Sequence, residues 1–170
     1  MTDATMRPVL VSVTLPHTAL PLADWADCYR LRVAGHGLTA EAAARQVISG
    51  FPWWVDALMR IRNRIVGLFG LKPAAPDAGD GADMIAIFPI VRNTPSQVVL
   101  GFDDRHLDFR VVIDVADDGP DWQTVSVSTL VWRKILLGRL YIAVITPFHK
   151  LIVSTALASL ATRDAVTRWQ

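Results

Sequence analysis

The stretch LYIAVITPFHKLIVSTALASLA, residues 140–161, decides the fold. It is long enough to cross a bilayer, which takes about 20 apolar residues. However, His149 and Lys150 interrupt its middle, and Pro147 lies beside them. A lysine at the centre of a membrane helix costs about 2.5 to 3.5 kcal/mol on insertion scales. At about 100° per residue, Leu140, Tyr141, Val144, Ile145, Phe148, Leu151, Ile152 and Thr155 gather on one side, with Ala143, Thr146, Lys150 and Ser154 opposite. A spanning helix has no use for that polar stripe, so the segment reads as a long core helix with one face on a sheet, and no integral membrane segment is expected.

The sheet is found upstream. Four strand-like segments, 84–92, 97–102, 106–115 and 122–133, are separated by turn residues such as Asn93, Pro95, Asp103, Asp104, Gly119 and Pro120. Short connections make such neighbours antiparallel. In the third, Leu107, Phe109, Val111, Ile113 and Val115 alternate with His106, Asp108, Arg110 and Asp114, so its odd positions are expected in the core. Residues 7–15 alternate in the same way, with Val9, Val11, Val13 and Leu15 on the buried face. Asp24 is placed to cap a short helix through Trp25, Cys28 and Tyr29, which Gly35 and Gly37 would end. Thr39 opens an alanine-rich helix to Ser49, and Pro52 fits the first turn of another that runs to about residue 69. Its apolar arc holds Trp54, Leu58, Ile61, Ile65, Leu68 and Phe69, with Gly70 as its C-cap. Residues 73–83, PAAPDAGDGAD, read as a mobile loop inside one domain spanning 1–170.

Composition narrows the function classes. Apolar residues make up 52% of the 170 and the net charge is +1; mean hydropathy is +0.33, high enough that apolar surface should line a cavity or meet a partner. The acids are fifteen Asp and one Glu, the bases fourteen Arg and three Lys, with no basic stripe, so no nucleic-acid partner is implied. A lone Cys28 and the absence of CxxC or Cys/His spacing imply neither disulfide nor structural zinc and fit a cytoplasmic location. The apolar run from Val9 to Leu15, stopped by Pro16, lacks the pattern of a signal peptide. No GxGxxG follows a strand, and no cofactor is expected.

A strand, helices, a strand meander and a long terminal helix is the order of the helix-grip fold of the START and birch-pollen-allergen-like superfamily. Five strings make the resemblance specific: ADWADCYRL at 23–31, FPWWVDALMRIRNRIVGLFGLK at 51–72, GFDDRHLDFR at 101–110, VSVSTLV at 125–131 and GRLYIAVITPFHKLIV at 138–153. They resemble the bacterial domain of unknown function family 2867, which occurs alone and appended to dehydrogenase-like domains. The resemblance implies an α+β helix-grip domain, an antiparallel sheet wrapped around its C-terminal helix, often with an apolar cavity between them. It brings no established activity and no catalytic residues.

Several residue clusters carry the types that chemistry needs, and each also has a plainer reading. The cluster Asp103, Asp104, Arg105, His106, Asp108 and Arg110 has the residue types of a metal site or an acid/base pair, but strand parity makes it a charged outer face. Ser126 and Ser128 alternate with valines and read as ordinary outward residues; with Ser154 they lack a nucleophile elbow. His149 flanks the terminal helix's apolar arc within reach of a pocket, and is otherwise a packing histidine satisfied by a carbonyl. Arg62, at the edge of an apolar arc, needs an anionic ligand or a carboxylate such as Asp27 or Asp108. The leading expectation is a domain that binds a small apolar or aromatic ligand between sheet and terminal helix, through Trp54, Leu58, Arg62, Phe109, Tyr141, Ile145, Phe148 and His149. The alternatives are a cyclase or dehydratase-like enzyme using Arg62, His149 or Tyr141, and a self-association or partner-binding module, a homodimer included.

Overall fold

The strand β7, Trp122–Arg133, is the spine of the molecule. A computed structural model of the chain describes residues 7–51 and 83–167. In chain order the elements are β1 (Val9–Val11), β2 (Trp25–Ala34), α1 (Ala40–Ser49), β3 (Met84–Ile85), β4 (Phe88–Asn93), β5 (Gln97–Asp103), β6 (Leu107–Asp117), β7 and α2 (Leu136–Thr167). They form one seven-stranded sheet in the order β1-β2-β7-β6-β5-β4-β3, with every neighbouring pair antiparallel. With the long terminal helix across it, this is the expected α+β, helix-grip-like architecture.

Local chemistry explains the elements that match expectation. Thr39 caps α1, its side chain accepting from the amide of Ala42, and Ala40, Ala43, Ala44 and Val47 form the buried stripe. The β6–β7 ladder runs in unbroken register from Leu107 opposite Arg133 to Asp117 opposite Gln123. The expected strand at 84–92 is two strands, because Ala86 adopts a left-handed φ of 53° in a tight turn between β3 and β4.

Three expectations are corrected. The short helix through Trp25, Cys28 and Tyr29 is instead β2: Asp24 caps no helix but accepts from the backbone amide and guanidinium of Arg133. Gly35 and Gly37, with φ of 105° and 78°, lie in the turn after β2. The N-terminal strand spans only Val9–Val11, and Val9 is exposed; Val13 packs instead on the far side of the sheet. The apolar arc of α2 is also displaced. Ile142, Val153, Ala156, Leu157 and Leu160 are buried, while Leu140, Val144, Phe148 and Leu151 are exposed.

Apolar clusters form on both faces, with a third, Leu107, Val131 and Ile142, at the end of the inner face. The main core lies between the sheet and the two helices, where Leu31, Leu100, Ile113 and Val125 meet Val47, Val153 and Leu157. A smaller one lies on the opposite face, where Leu20, Val99, Val112 and Leu130 are covered by Val13, Ala19, Ala23 and Trp132. Of the expected charged outer face, His106 and Asp108 are buried, while Asp103 and Arg105 are exposed. From Leu136 to Ala161, α2 has the length and mean hydropathy, 1.5, of a membrane span. Its Val153, Ala156, Leu157 and Leu160 join the main core, while most of that stretch, Leu140, Val144, Phe148 and Leu151 included, is not buried.

Candidate functional site

The inner face of β2 carries Trp25, Asp27, Tyr29, Leu31 and Val33, because alternate side chains of a strand share a face. Four of these are apolar or aromatic, and Asp27 is the exception. Its register partner on β7 is Thr129, set between Val127 and Val131 on the same face. From α2, His149 reaches down so that Nε2 lies 3.0 Å from Asp27 Oδ1. An ionised carboxylate only accepts, so the imidazole donates from Nε2. Trp25 meets the histidine ring edge to face at 5.7 Å between centroids.

Beside this group lies a cavity of about 200 Å³ between the sheet and α2. Phe102, Phe109, Val111 and Val131 form its floor, Ile48 and Phe51 one side, and Tyr141, Ile145, His149 and Ile152 its roof. Phe109 sits among aromatics, 5.9 Å from Phe88 and 5.6 Å from Phe102 between ring centroids. The lining is apolar except for Thr129, the Tyr141 and His149 tips and the Trp25 ring nitrogen.

Two buried polar atoms near this cavity have no hydrogen-bond partner among the described residues: Asp27 Oδ2, whose residue is not among those lining it, and Thr129 Oγ1. Both residues are deeply buried, at 8% and 2% exposure. Leaving such an atom unsatisfied costs about 1 to 3 kcal/mol, so each calls for an explanation. Next to Asp27 on the same strand face, Tyr29 has its phenol pKa raised, first by burial and then by the Asp27 charge.

The expected site residues divide cleanly. Phe109, Tyr141, Ile145 and His149 line the cavity. Phe148 does not; it is 46% exposed, on the side of α2 away from the sheet. Trp54, Leu58 and Arg62 lie outside the described residues, as do the helix expected over 52–69 and nearly all of the loop expected at 73–83. His149 is satisfied by a carboxylate where a carbonyl had been expected, and Asp108 is paired with Lys134. Trp25, Asp27 and Thr129 were missed as a group. The signal that could have found them is the single acidic residue on an otherwise apolar strand face.

Most other polar features are structural. The Asp103 to Arg110 string is an ion-paired turn: Arg110 holds Asp103 at 2.7 Å and the carbonyls of Phe102 and Phe109, and Lys134 holds Asp108. His106 Nδ1 lies 3.4 Å from Asp104 Oδ1 without hydrogen-bond geometry. No group of three His, Cys, Asp or Glu side chains suited to a metal occurs among the described residues. Ser126, Ser128, Cys28 and Arg30 line a more open polar groove on the opposite face of the sheet, away from His149. Burial pushes the Cys28 thiol up, against a hydrogen bond from Ser128 that lowers it, so no reactive thiolate forms there.

Fold and cavity together define a class: a single antiparallel sheet gripping a terminal helix over an apolar chamber. Residues 19–156 match the family described as "Protein of unknown function (DUF2867)", and the chain belongs to that family. Neither a curated protein nor a solved structure matches the chain.

Proposed function

We propose that this protein is a binding domain, not an enzyme, that takes a small apolar or aromatic molecule into the chamber between sheet and α2. The supporting observation is the chamber itself. Its volume of about 200 Å³ exceeds the roughly 150 Å³ of a dry cavity that admits benzene, and its lining is almost wholly apolar. The strand order and the terminal helix favour a place in the helix-grip superfamily, as one domain of a bacterial, cytoplasmic protein. Native mass spectrometry of protein purified from its own host tests the reading. A co-purifying small molecule, lost from the cavity-filling variant Val131→Phe, is the expected result. A ligand-free protein that also fails to bind ethylbenzene in titration overturns it.

A second reading, self-association, has its own observation. Leu136, Leu140, Val144, Phe148 and Leu151 form an exposed apolar stripe along α2, spaced to stay on one side of the helix. A sedimenting dimer that Leu140→Asp returns to monomer supports it. A monomer at high concentration rules it out.

A further inference from the structure

We propose that the polar groove on the outer face of the sheet is a second binding site, for the head group of a free α-amino acid: Arg30 receives its carboxylate and Asp114 its ammonium. The site is independent of the chamber, which lies on the other side of the sheet.

The groove has a volume of about 580 Å³, within the range of small-molecule pockets. Strand register lays its floor. Across three neighbouring strands, Arg30 on β2 stands opposite Ser126 on β7, and Ser126 opposite Asp114 on β6. On either side of that row the floor is made of smaller groups, Cys28 with Ser128 at one end and Ala116 with Thr124 at the other. Short side chains there leave a trough, and the segment after β1 walls it with Ser12, Thr14 and His17.

The charges in the trough select the guest. Asp118 is matched by Arg32 at 2.7 Å. Arg30 and Asp114, although in one row, are held by neutral neighbours and have no ion-pair partner among the described residues. Arg30 donates from Nε to Ser126 Oγ at 3.3 Å, whereas Asp114 accepts at 2.8 Å from Gln97 Nε2 on β5, the strand on its far side from Arg30. Two strand spacings, about 9.5 Å, separate the two backbones. A small group fits between, hydrogen-bonded at both ends, since each charge-assisted bond takes about 2.8 Å. Ser126 Oγ accepts from Arg30, so its own proton can go to the same carboxylate. The Cys28 thiol reports both charges: burial is the main cause that pushes it up and Ser128's hydrogen bond opposes this, while Arg30 lowers it and Asp114 raises it.

Simpler guests fit less well. A lone anion is drawn to Arg30 but repelled by Asp114, and a lone cation meets the reverse. A zwitterion with its two charges on one carbon satisfies both, and its side chain can lie along the trough.

The test is titration of the protein with each of the common amino acids, followed by NMR. For the tightest binder, its amide keeps only the ammonium and its N-acetyl derivative only the carboxylate. Hydrogen bonds to charged groups are worth about tenfold or more in affinity, so each derivative is expected to bind about tenfold more weakly than the parent. Arg30→Gln should weaken the amino acid and its N-acetyl derivative about tenfold and move the amide less than about twofold. Asp114→Asn should do the opposite, weakening the amino acid and the amide. Val131→Phe, which projects into the chamber, should alter none of these affinities. The proposal is overturned if no amino acid binds at about 10 mM, if either derivative binds as tightly as the parent, or if Val131→Phe abolishes binding. Comparison of the three ligands on the wild-type protein decides the matter even where a substitution disturbs folding. Failure of the chamber to take ethylbenzene leaves these titrations unchanged, so the two readings fail separately.

Discussion

The two faces of the sheet use the same strands and nearly the same residue types to different ends. On the face covered by Val13, Ala19 and Ala23, three acidic groups are matched to cations: Asp103 with Arg110, Asp108 with Lys134, Asp24 with Arg133. Two nitrogens there, His106 Nδ1 and Arg110 Nε, also lack partners, but neither residue lines a cavity. On the face covered by α2, Asp27 meets a histidine with one oxygen, and the other has no partner among the described residues. A charged residue is thus informative about function through what stands in front of it, and fifteen aspartates in a sequence carry no label for that.

If both faces are true cores, then Leu130→Ala and Leu157→Ala should each lose about 2 to 5 kcal/mol in urea denaturation, since both side chains are fully buried. A Leu130 loss under about 1 kcal/mol would reduce the smaller core to a surface patch. Packing should separate the faces more sharply. Val112→Phe has no space to fill and is expected to cost about 1 to 3 kcal/mol, while Val131→Phe projects into the chamber and should cost less than about 1 kcal/mol. Equal costs would mean that the chamber is not available space. The smallest effect concerns Asp24. Burial raises its pKa, but Arg133's hydrogen bonds and charge outweigh that and bring it below the ordinary carboxylate value. The group therefore stabilises the fold above its unfolded pKa, near 3.9, and that contribution is lost as pH falls through the lower folded value. Asp24→Asn should flatten the acid limb of stability by a few tenths of a kcal/mol, since the pair is partly solvated.

Much of this was legible beforehand. The β5 to β7 meander, α1 with its Thr39 cap and the terminal helix follow from periodicity and turn chemistry. So does the presence of Phe109, Tyr141, Ile145 and His149 beside one another, since helix and strand share one core. The failures have particular causes. The segment that forms β2 reads as a helix because Asp24 resembles a cap and Gly35 and Gly37 a helix end, although Trp25, Tyr29, Leu31 and Val33 alternate on one face. The face of α2 was misjudged because the helix is apolar nearly all round. Its small Ala156 allows close packing on the sheet side while larger side chains such as Leu140 and Val144 point away. The burial of His106 and Asp108 is not legible, because parity assigns a side chain to a face and says nothing of what covers it.

The pairing of β2 with β7 also sets the order in which the molecule can be made. Trp25 has its ladder partner at Val131, and Asp27 its histidine at 149, so the strand bearing the acid waits for most of the chain before either arrives. Sheets closed by such distant pairings fold slowly. Until β7 arrives, β2 lacks its long ladder partner and its apolar inner side lacks the helix that covers it. Chaperones should accordingly help while these pairings are pending, and α2, which follows the seven described strands, completes both the core and the grip on Asp27.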